Sequence, residues 1–182
     1  GLTFSEEEGS FLVGLAAGLT TASDKVGFIG GMQFPLIEKF QYGYQAGVKA
    51  VNPDAEVFVA YTQSFDDSAA GKENALAQYN QGADVIYHAA GGCGIGLIQA
   101  AQEQNFWAIG VDQDQSALAP ENVLCSMLKR VDVAVYEAIK LMVEGSFTGD
   151  NINYALNVSG VDISDKAGNV PAEVMEQVEA WK

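Results

Sequence analysis

Residues 84–101 combine an apolar run, a cluster of glycines and a second apolar run with helical spacing. This pattern predicts a buried strand, a tight turn and the first turns of a helix. Backbone N–H groups in such a turn lie at the positive end of the helix dipole and can bind a ligand's oxygen or ring nitrogen. The glycines, which include Gly91 and Gly92, match neither the full dinucleotide-binding fingerprint nor a P-loop. A small-molecule site and simple close packing of the helix on the strand both remain open.

Two further side chains with binding chemistry follow predicted strands. Phe65 stands among polar residues just before a helix, so its ring can stack on a flat heterocycle or fold back over the edge of the sheet. Asp112 follows the fourth predicted strand, where a carboxylate can accept two hydroxyl groups of a sugar or form a local turn. Asp114, two residues further on, is expected to cap the same loop.

Lys129 and Arg130 interrupt an apolar and acidic region directly before a predicted helix. The chain has only nine basic residues, so a lysine at this place can bond a ligand oxygen or neutralise Asp112. A helix dipole disfavours a cation at the start of the helix. This favours a specific role for the lysine over that of a simple surface charge.

The sequence offers little for enzymatic chemistry. The single histidine, His88, lies within an apolar strand, where a structural role in the core is expected. Cys93 and Cys125 lack the paired spacing of a zinc site or redox motif and are interpreted as small core residues, with a disulfide left open. Asp112 and Asp114 have no histidine or third ligand nearby in sequence, so we expect no acid–base pair, metal site or other cofactor. A nucleotide-using Rossmann-like enzyme is therefore the weaker hypothesis.

The binding residues need a scaffold that brings the ends of strands together. Five apolar runs predict strands at residues 26–30, 57–61, 85–89, 107–111 and 123–127. Helical patterns fall between most of them, which is typical of a Rossmann-like α/β fold with a parallel sheet and helices on both faces. Ligands bind at the carboxyl ends of the strands in such a sheet, where the glycines, Phe65 and Asp112 all fall.

Helices are predicted to begin after Ser5, a good N-cap, and at Pro35, with others over residues 66–82, 131–143 and around 172–181. Residues 152–158 are expected to be extended. The apolar stripes expected to face the core are Phe11, Leu12, Leu15 and Leu19 in the first helix and Val131, Val135, Ile139 and Met142 in the helix over 131–143.

The composition limits the class of protein. A chain of 182 residues that is 48% hydrophobic can fill one sizeable core, so one domain is expected. A formal net charge of −15 makes nucleic acid and anionic membrane surfaces poor partners. The uncharged stretch of residues 9–23 is too short to span a bilayer and lacks the basic start and cleavage site of a secretory signal. We therefore expect neither a membrane anchor nor a targeting segment in this sequence.

Six segments follow one another in an order found in a known family. They are FSEEEGSFLVGLAAG (residues 4–18), VGFIGGM (26–32), FQYGYQAG (40–47), HAAGG (88–92), GVDQDQ (110–115) and SMLKRVD (126–132). Together they resemble the basic membrane protein family of extracytoplasmic solute-binding lipoproteins, the purine-nucleoside receptors of ABC importers. The resemblance implies one lobe of a type I periplasmic-binding fold, with the ligand held in a cleft between two lobes.

The resemblance also implies roles for individual residues. Phe65 resembles the aromatic residue that stacks on one face of the purine, and the backbone of Gly91, beside Gly92, resembles the group that contacts the base. Asp112 resembles the carboxylate that binds the ribose hydroxyls, with Lys129 resembling the lysine beside it. Riboflavin or another flat heterocycle is an alternative ligand, because stacking tolerates different rings. A ligand-sensing regulatory domain is an alternative function.

Family members carry an N-terminal half before the segment that starts at Phe4, so the resemblance covers the C-terminal lobe. The expected division is a lobe-connecting helix (residues 1–23), a βα core (24–145) and a C-terminal crossing segment with a helix (146–182). The implied partners are a small-molecule ligand and, for the full-length protein, an ABC permease, with an extracytoplasmic location, lipid-anchored or periplasmic. An isolated lobe lacks half of the cleft and is expected to bind weakly. Apolar surface exposed at the rim and on residues 11–19 predicts self-association.

Overall fold

The backbone alternates strands and helices through most of its length, and the computed structural model describes all of residues 1–182. The strands are β1 (Leu2–Phe4), β2 (Lys25–Gly30), β3 (Glu56–Tyr61), β4 (Val85–Ala89), β5 (Trp107–Gly110), β6 (Val123–Lys129), β7 (Ile152–Tyr154) and β8 (Val161–Ser164). The α-helices are α1 (Glu6–Thr20), α2 (Pro35–Val51), α3 (Ser68–Asn80), α4 (Cys93–Gln104), α5 (Val131–Val143) and α6 (Ala172–Glu179). None of these helices has both the length and the apolar composition needed to cross a bilayer.

Six strands form one sheet in the order β3-β2-β4-β5-β6-β8, and only the β6–β8 pair is antiparallel. The five predicted strands are confirmed, with ends that differ by at most two residues. The sequence does not predict β8, because this strand has only four residues and two of them, Asp162 and Ser164, are polar. The α/β class with a largely parallel sheet is confirmed.

The helices cover both faces of the sheet. Residues of α1 and α2 share the larger part of the core with Phe28 of β2 and Tyr87 of β4. Residues of α3 and α4 share the smaller part with Ile29 and Ile86, which point to the opposite face. Successive side chains of a strand alternate between faces, so each central strand contributes to both layers.

The chain changes direction between β2 and β4, which are neighbours at the centre of the sheet. β2 leads into α2 on one face, and β4 leads into α4 on the other. The loops after these two strands therefore diverge and leave a crevice at the carboxyl edge of the sheet. Ligands of open α/β sheets bind at such a switch point.

Helix α1 is buried on more sides than the single apolar stripe predicted from the sequence. Leu12 and Leu15 are buried as expected, while Phe11 and Leu19 are only half-buried, and the whole run from Leu12 to Gly18 is enclosed. A Cβ atom added at Gly14 would lie 2.4 Å from the carbonyl oxygen of Tyr44 on α2, so the two helices pack backbone to backbone. The expectation of an exposed apolar surface on residues 11–19 is therefore wrong.

Two local expectations also need correction. Ser5 precedes α1 as predicted, but its hydroxyl accepts a hydrogen bond from Asn153 Nδ2 at 3.0 Å and does not cap the helix. The extended segment predicted over 152–158 ends at Tyr154, where β7 ends and a short 3₁₀ turn begins at Leu156.

The expectation that the apolar stripe of α5 faces the core is wrong. Val131, Val135, Ile139 and Met142 are 48, 45, 56 and 63% exposed, and Ala134 is the only residue of α5 that is buried. The helix leads away from the main sheet to β7, which pairs with β1 as a separate two-stranded parallel sheet. A helical period shows that one face is apolar but not which element covers it, and within these 182 residues nothing does.

This exposed stripe predicts self-association through α5. Replacing both Ile139 and Met142 by serine is expected to weaken the association seen by analytical sedimentation at rising concentration. The double substitution should change the free energy of unfolding by less than about 1 kcal/mol, because both side chains are more than half exposed.

Leu97→Ala is the contrasting variant, since Leu97 is fully buried and its truncation should cost about 2–5 kcal/mol in urea unfolding. An unmodified chain that sediments as a monomer at every concentration would contradict this prediction.

Candidate functional site

A cleft of about 680 Å³ opens at the carboxyl edge of the sheet. Gly91, Gly92, Asp112 and Lys129 line it together. A smaller pocket of about 140 Å³ is lined by Phe65, Gly91 and Asp112, so the two spaces adjoin. The structure thus brings all five residues singled out by the sequence to one continuous depression at the switch point.

The glycine turn between β4 and α4 contributes backbone. Gly91 has a φ of +56°, a conformation that suits glycine. The four amides from Gly92 to Ile95 already donate to backbone carbonyls, the first of them to Phe65 at 2.7 Å. The amide of Gly91 has no acceptor within the protein. The turn therefore offers one free N–H group to a ligand rather than the several that a helix start suggests.

Phe65 is half-buried beside this turn. Its ring packs on Gly31, where an added Cβ would lie 2.3 Å from Cε1 of the ring. The ring of Phe34 meets it edge-on, with centroids 6.2 Å apart and an interplanar angle of 70°. Phe65 thus touches the edge of the core and also lines the smaller pocket, so both orientations considered from the sequence are partly realised.

Asp112 presents an unused carboxylate to the cleft. Its backbone is held with φ at +66°, and its carbonyl accepts a hydrogen bond from the Lys129 amide at 2.9 Å. No protein group donates a hydrogen bond to its side-chain oxygens. Desolvation raises the pKa of Asp112, Lys129 opposes this rise and Glu6 adds to it. The carboxylate is therefore free to accept hydrogen bonds from hydroxyl groups of a ligand.

Lys129 points into the same cleft but does not pair with Asp112. Its Nζ lies 2.9 Å from Oε1 of Glu6, and no ion pair joins it to Asp112. Of the two roles considered for Lys129, a direct ion pair with Asp112 is not formed, because the buried Glu6 offers a nearer partner. Sequence reasoning missed Glu6, since three consecutive glutamates in the first turn of a helix look alike in a sequence.

Asp114 closes the loop that carries Asp112. Its carboxylate accepts hydrogen bonds from the amide and hydroxyl of Ser116 and from the hydroxyl of Ser164 at 2.7 Å. The predicted capping role of Asp114 is confirmed. The last of these bonds also ties the loop to β8, a contact between residues 50 positions apart that no local sequence pattern indicates.

His88 contacts the loop that carries Asp112 through the side chain of Gln115. Its Nε2 lies 2.9 Å from Oε1 of Gln115, which also accepts a hydrogen bond from the Val111 amide at 2.9 Å. Because this oxygen is an acceptor, Nε2 of the imidazole carries a hydrogen, and the buried Nδ1 has no hydrogen-bond partner, which favours the neutral imidazole. Desolvation lowers its pKa to about 4, while the bond to Gln115 opposes the shift. The structural role expected for this histidine is confirmed, and so is the burial of Cys93 and Cys125, both free thiols.

Comparison with known proteins identifies the family. A family model described as "ABC transporter substrate-binding protein PnrA-like" (Bmp) matches residues 1–182. The chain belongs to this family. A curated relative in Lactococcus lactis, named "ABC transporter nucleoside-binding protein BmpA", is 38% identical over 97% of this chain and 55% of its own length. The chain thus spans about half the length of the curated Bmp relatives it matches.

Solved structures agree with the Bmp assignment. An ABC transporter solute-binding protein from Aeropyrum pernix is 33% identical, with a TM-score of 0.83 over 99% of this chain and 59% of that one. A protein from Bacillus halodurans described as a transcriptional activator of the comK gene is 27% identical, with a TM-score of 0.90 over 98 and 62% of the two chains. The fold is therefore that of the type I periplasmic-binding proteins.

The buried imidazole predicts a pH-dependent stability. An unfolded chain takes up a proton on His88 near pH 6.5, whereas the folded chain resists protonation until about pH 4. The folded state binds fewer protons between these values, so the free energy of unfolding falls as the pH falls. The loss is about 1.4 kcal/mol per pH unit and roughly 3 kcal/mol in all. Urea unfolding over this range and NMR titration of the single imidazole measure it.

The His88→Asn chain is the control, and its stability should depend less on pH over this window. Asp112, whose pKa is raised, acts in the opposite sense, so the difference between the two chains isolates the histidine. An imidazole that titrates near pH 6.5 in the folded protein would contradict the prediction.

Proposed function

We propose that this chain is part of the extracytoplasmic solute-binding component of an ABC importer and that its cleft binds a purine nucleoside. The observation that carries the proposal is the meeting of Phe65, the free amide of Gly91 and the unused carboxylate of Asp112 around adjoining pockets. An aromatic face, one backbone donor and one strong acceptor suit a flat base attached to a hydroxyl-bearing sugar.

Each residue takes one part of the ligand. The Phe65 ring stacks on the base, and the Gly91 amide, next to Gly92, donates to an oxygen or ring nitrogen at the edge of the base. The Asp112 carboxylate accepts hydrogen bonds from the two ribose hydroxyl groups, and Lys129 donates a hydrogen bond to a sugar oxygen. The nucleoside named in the description of the Lactococcus lactis relative supports this assignment.

A single lobe supplies only one side of this cleft, as the exposure of Gly91 and Asp112 indicates. We propose that a second lobe supplies the other side, built from the part of the longer relatives that this chain does not match. In this division, residues 1–23 connect the lobes, 24–145 form the βα core and 146–182 cross back and end in a helix. The ABC permease and a lipid-anchored or periplasmic location belong to the same proposal for the full-length protein.

A ligand-sensing regulator is the second candidate, favoured by the description of the Bacillus halodurans structure as a transcriptional activator. The coding sequence upstream of this chain separates the two functions. A lipobox and an in-frame first lobe support transport, whereas a DNA-binding domain supports regulation.

Calorimetric titration of adenosine, guanosine, inosine and riboflavin tests the binding proposal. Each ligand is titrated into this chain and into a longer protein that includes the upstream lobe. Phe65→Ala is expected to weaken nucleoside binding by about tenfold through lost stacking. Asp112→Asn should weaken it by roughly 10- to 100-fold, since hydrogen bonds to a charged acceptor are lost.

Phe147→Ala and Asp54→Asn are the matched controls, because both residues are exposed and neither lines the cleft. They should leave the affinity unchanged. If riboflavin is the only one of the four that binds, the ligand is a flat heterocycle other than a purine nucleoside. If the longer protein binds none of the four ligands, the nucleoside assignment is wrong.

A further inference from the structure

Glu6, the first residue of α1, carries a buried carboxylate beside the cleft. Its side chain is only 3% exposed, and its Oε1 lies 2.9 Å from Nζ of Lys129. Its Oε2 is 3.6 Å from Nζ of Lys39 and takes part in no hydrogen bond. Lys39 is 46% exposed and is also shared with Glu7, so solvent weakens its attraction. Lys129 is therefore the main partner of the buried carboxylate.

Lys129 is held on the Glu6 side of the cleft. Its side chain is 19% exposed, and the ammonium lies 5.1 Å from the ring centroid of Phe4, a cation–π contact. Phe4 is the last residue of β1 and Glu6 the first residue of α1, so the two lie on either side of the short connection between these elements. Ion pair and aromatic contact together fix the direction of a side chain that would otherwise be flexible.

The balance of charges around the cleft is negative. The cleft is lined by two cations, and each is already paired: Lys129 with Glu6, and Arg130 with Asp132 through hydrogen bonds of 3.0 and 2.9 Å. The carboxylate of Asp112 has no such partner. A neutral ligand rich in hydroxyl groups finds a free acceptor here, whereas a phosphate dianion finds no unpaired cation and meets a negative charge.

We propose that Glu6 is a positioning and specificity-determining residue. It holds Lys129 near Asp112 with the lysine charge already neutralised, so the cleft accepts a neutral nucleoside and excludes its phosphorylated form. The ligand class rests on the proposed function, but the action of Glu6 on Lys129 rests on the ion pair alone.

The neighbouring Glu7 provides a matched control. It lies in the same helical turn and carries the same charge, but it is 46% exposed and pairs with Lys39 instead of Lys129. A general effect of acidic residues on the positive end of α1 would act through both glutamates. An effect of Glu6→Gln that Glu7→Gln does not reproduce therefore reports the contact with Lys129.

Titration of the Asp112 carboxyl group by ¹³C NMR tests the positioning role without a ligand. The charged or titratable groups that act on Asp112 are Lys129 of β6, Glu6 of α1 and Tyr87 of β4. In Glu6→Gln the pKa of Asp112 is expected to fall, because an anion is removed and Lys129 is released toward the carboxylate. Glu7→Gln should change it much less. An unchanged Asp112 titration in Glu6→Gln would overturn the positioning role.

Titration of adenosine, adenosine 5′-monophosphate and inorganic phosphate into the longer protein that includes the upstream lobe, with this chain either unmodified or carrying Glu6→Gln, tests the specificity. The unmodified chain is expected to bind no phosphate and to prefer adenosine to its monophosphate. In Glu6→Gln the affinity for the monophosphate relative to adenosine should rise by roughly five- to tenfold, through the released lysine charge. An unchanged ratio would overturn the specificity role. Should adenosine fail to bind to the longer protein while Glu6→Gln gains phosphate binding, the proposed function is wrong and the role of Glu6 is supported.

A measurement on the unmodified chain covers the case in which Glu6→Gln does not fold, since the substitution leaves a partly buried lysine without its partner. With ¹⁵N-labelled lysine, the Lys129 ammonium is expected to exchange its protons slowly and to correlate with the carboxyl carbon of Glu6. A Lys129 ammonium that exchanges as fast as that of the exposed Lys39 would overturn the proposal.

Discussion

The pairing of β2 with β4 at the centre of the sheet is the constraint on which the site depends. These strands run parallel in direct contact, yet their following helices lie on opposite faces, so the chain must leave the two strand ends in opposite directions. The backbone turns at Gly31 and Gly91, where side chains would collide with Phe65. The crevice, the placement of the aromatic ring and the free amide of Gly91 all follow from this one divergence.

Around this crevice the protein fixes its polar groups through contacts between distant segments. The side chain of Gln115 is hydrogen-bonded to Nε2 of His88 on β4 and to the backbone amide of Val111. These bonds support the neighbouring Asp112, whose backbone has a left-handed conformation. The ion pair of Glu6 with Lys129 joins the start of α1 to the end of β6. Preorganisation of this kind reduces the entropic cost of ordering these side chains and loops when a ligand binds.

The sequence predicts what is encoded locally. The central strands are continuous apolar runs because both of their faces are covered, and every residue of β4 is buried. Gly91 and Asp112 are predicted because each directly follows such a run, and Phe65 because it follows the apolar but only partly buried run of β3. Their gathering at one edge is a property of parallel sheets in general, which is why most of the candidate site could be predicted without coordinates.

What the sequence could not predict depends on tertiary contacts. Glu6 cannot be told from Glu7 and Glu8 by residue type, and only packing against β6 buries one of the three. The stripe of α5 has the same period as a core helix, but a period does not show whether a covering surface exists. β1 and β7 have three residues each, which is too short for an apolar pattern to be recognised.

The pairing of β1 with β7 has a consequence for how the protein folds. Leu2 lies opposite Ile152, so these few hydrogen bonds close a loop of nearly the whole chain. Closing so long a loop carries an entropic cost that only three residue pairs offset, and a two-stranded sheet has little stability of its own. The parallel neighbours of the main sheet are separated along the chain by at most two helices and one strand, so this sheet forms over far shorter separations. The β1–β7 ribbon is therefore expected to assemble last and to exchange its amide hydrogens first, which makes the link between α1 and the end of α5 the kinetically weakest part of the molecule.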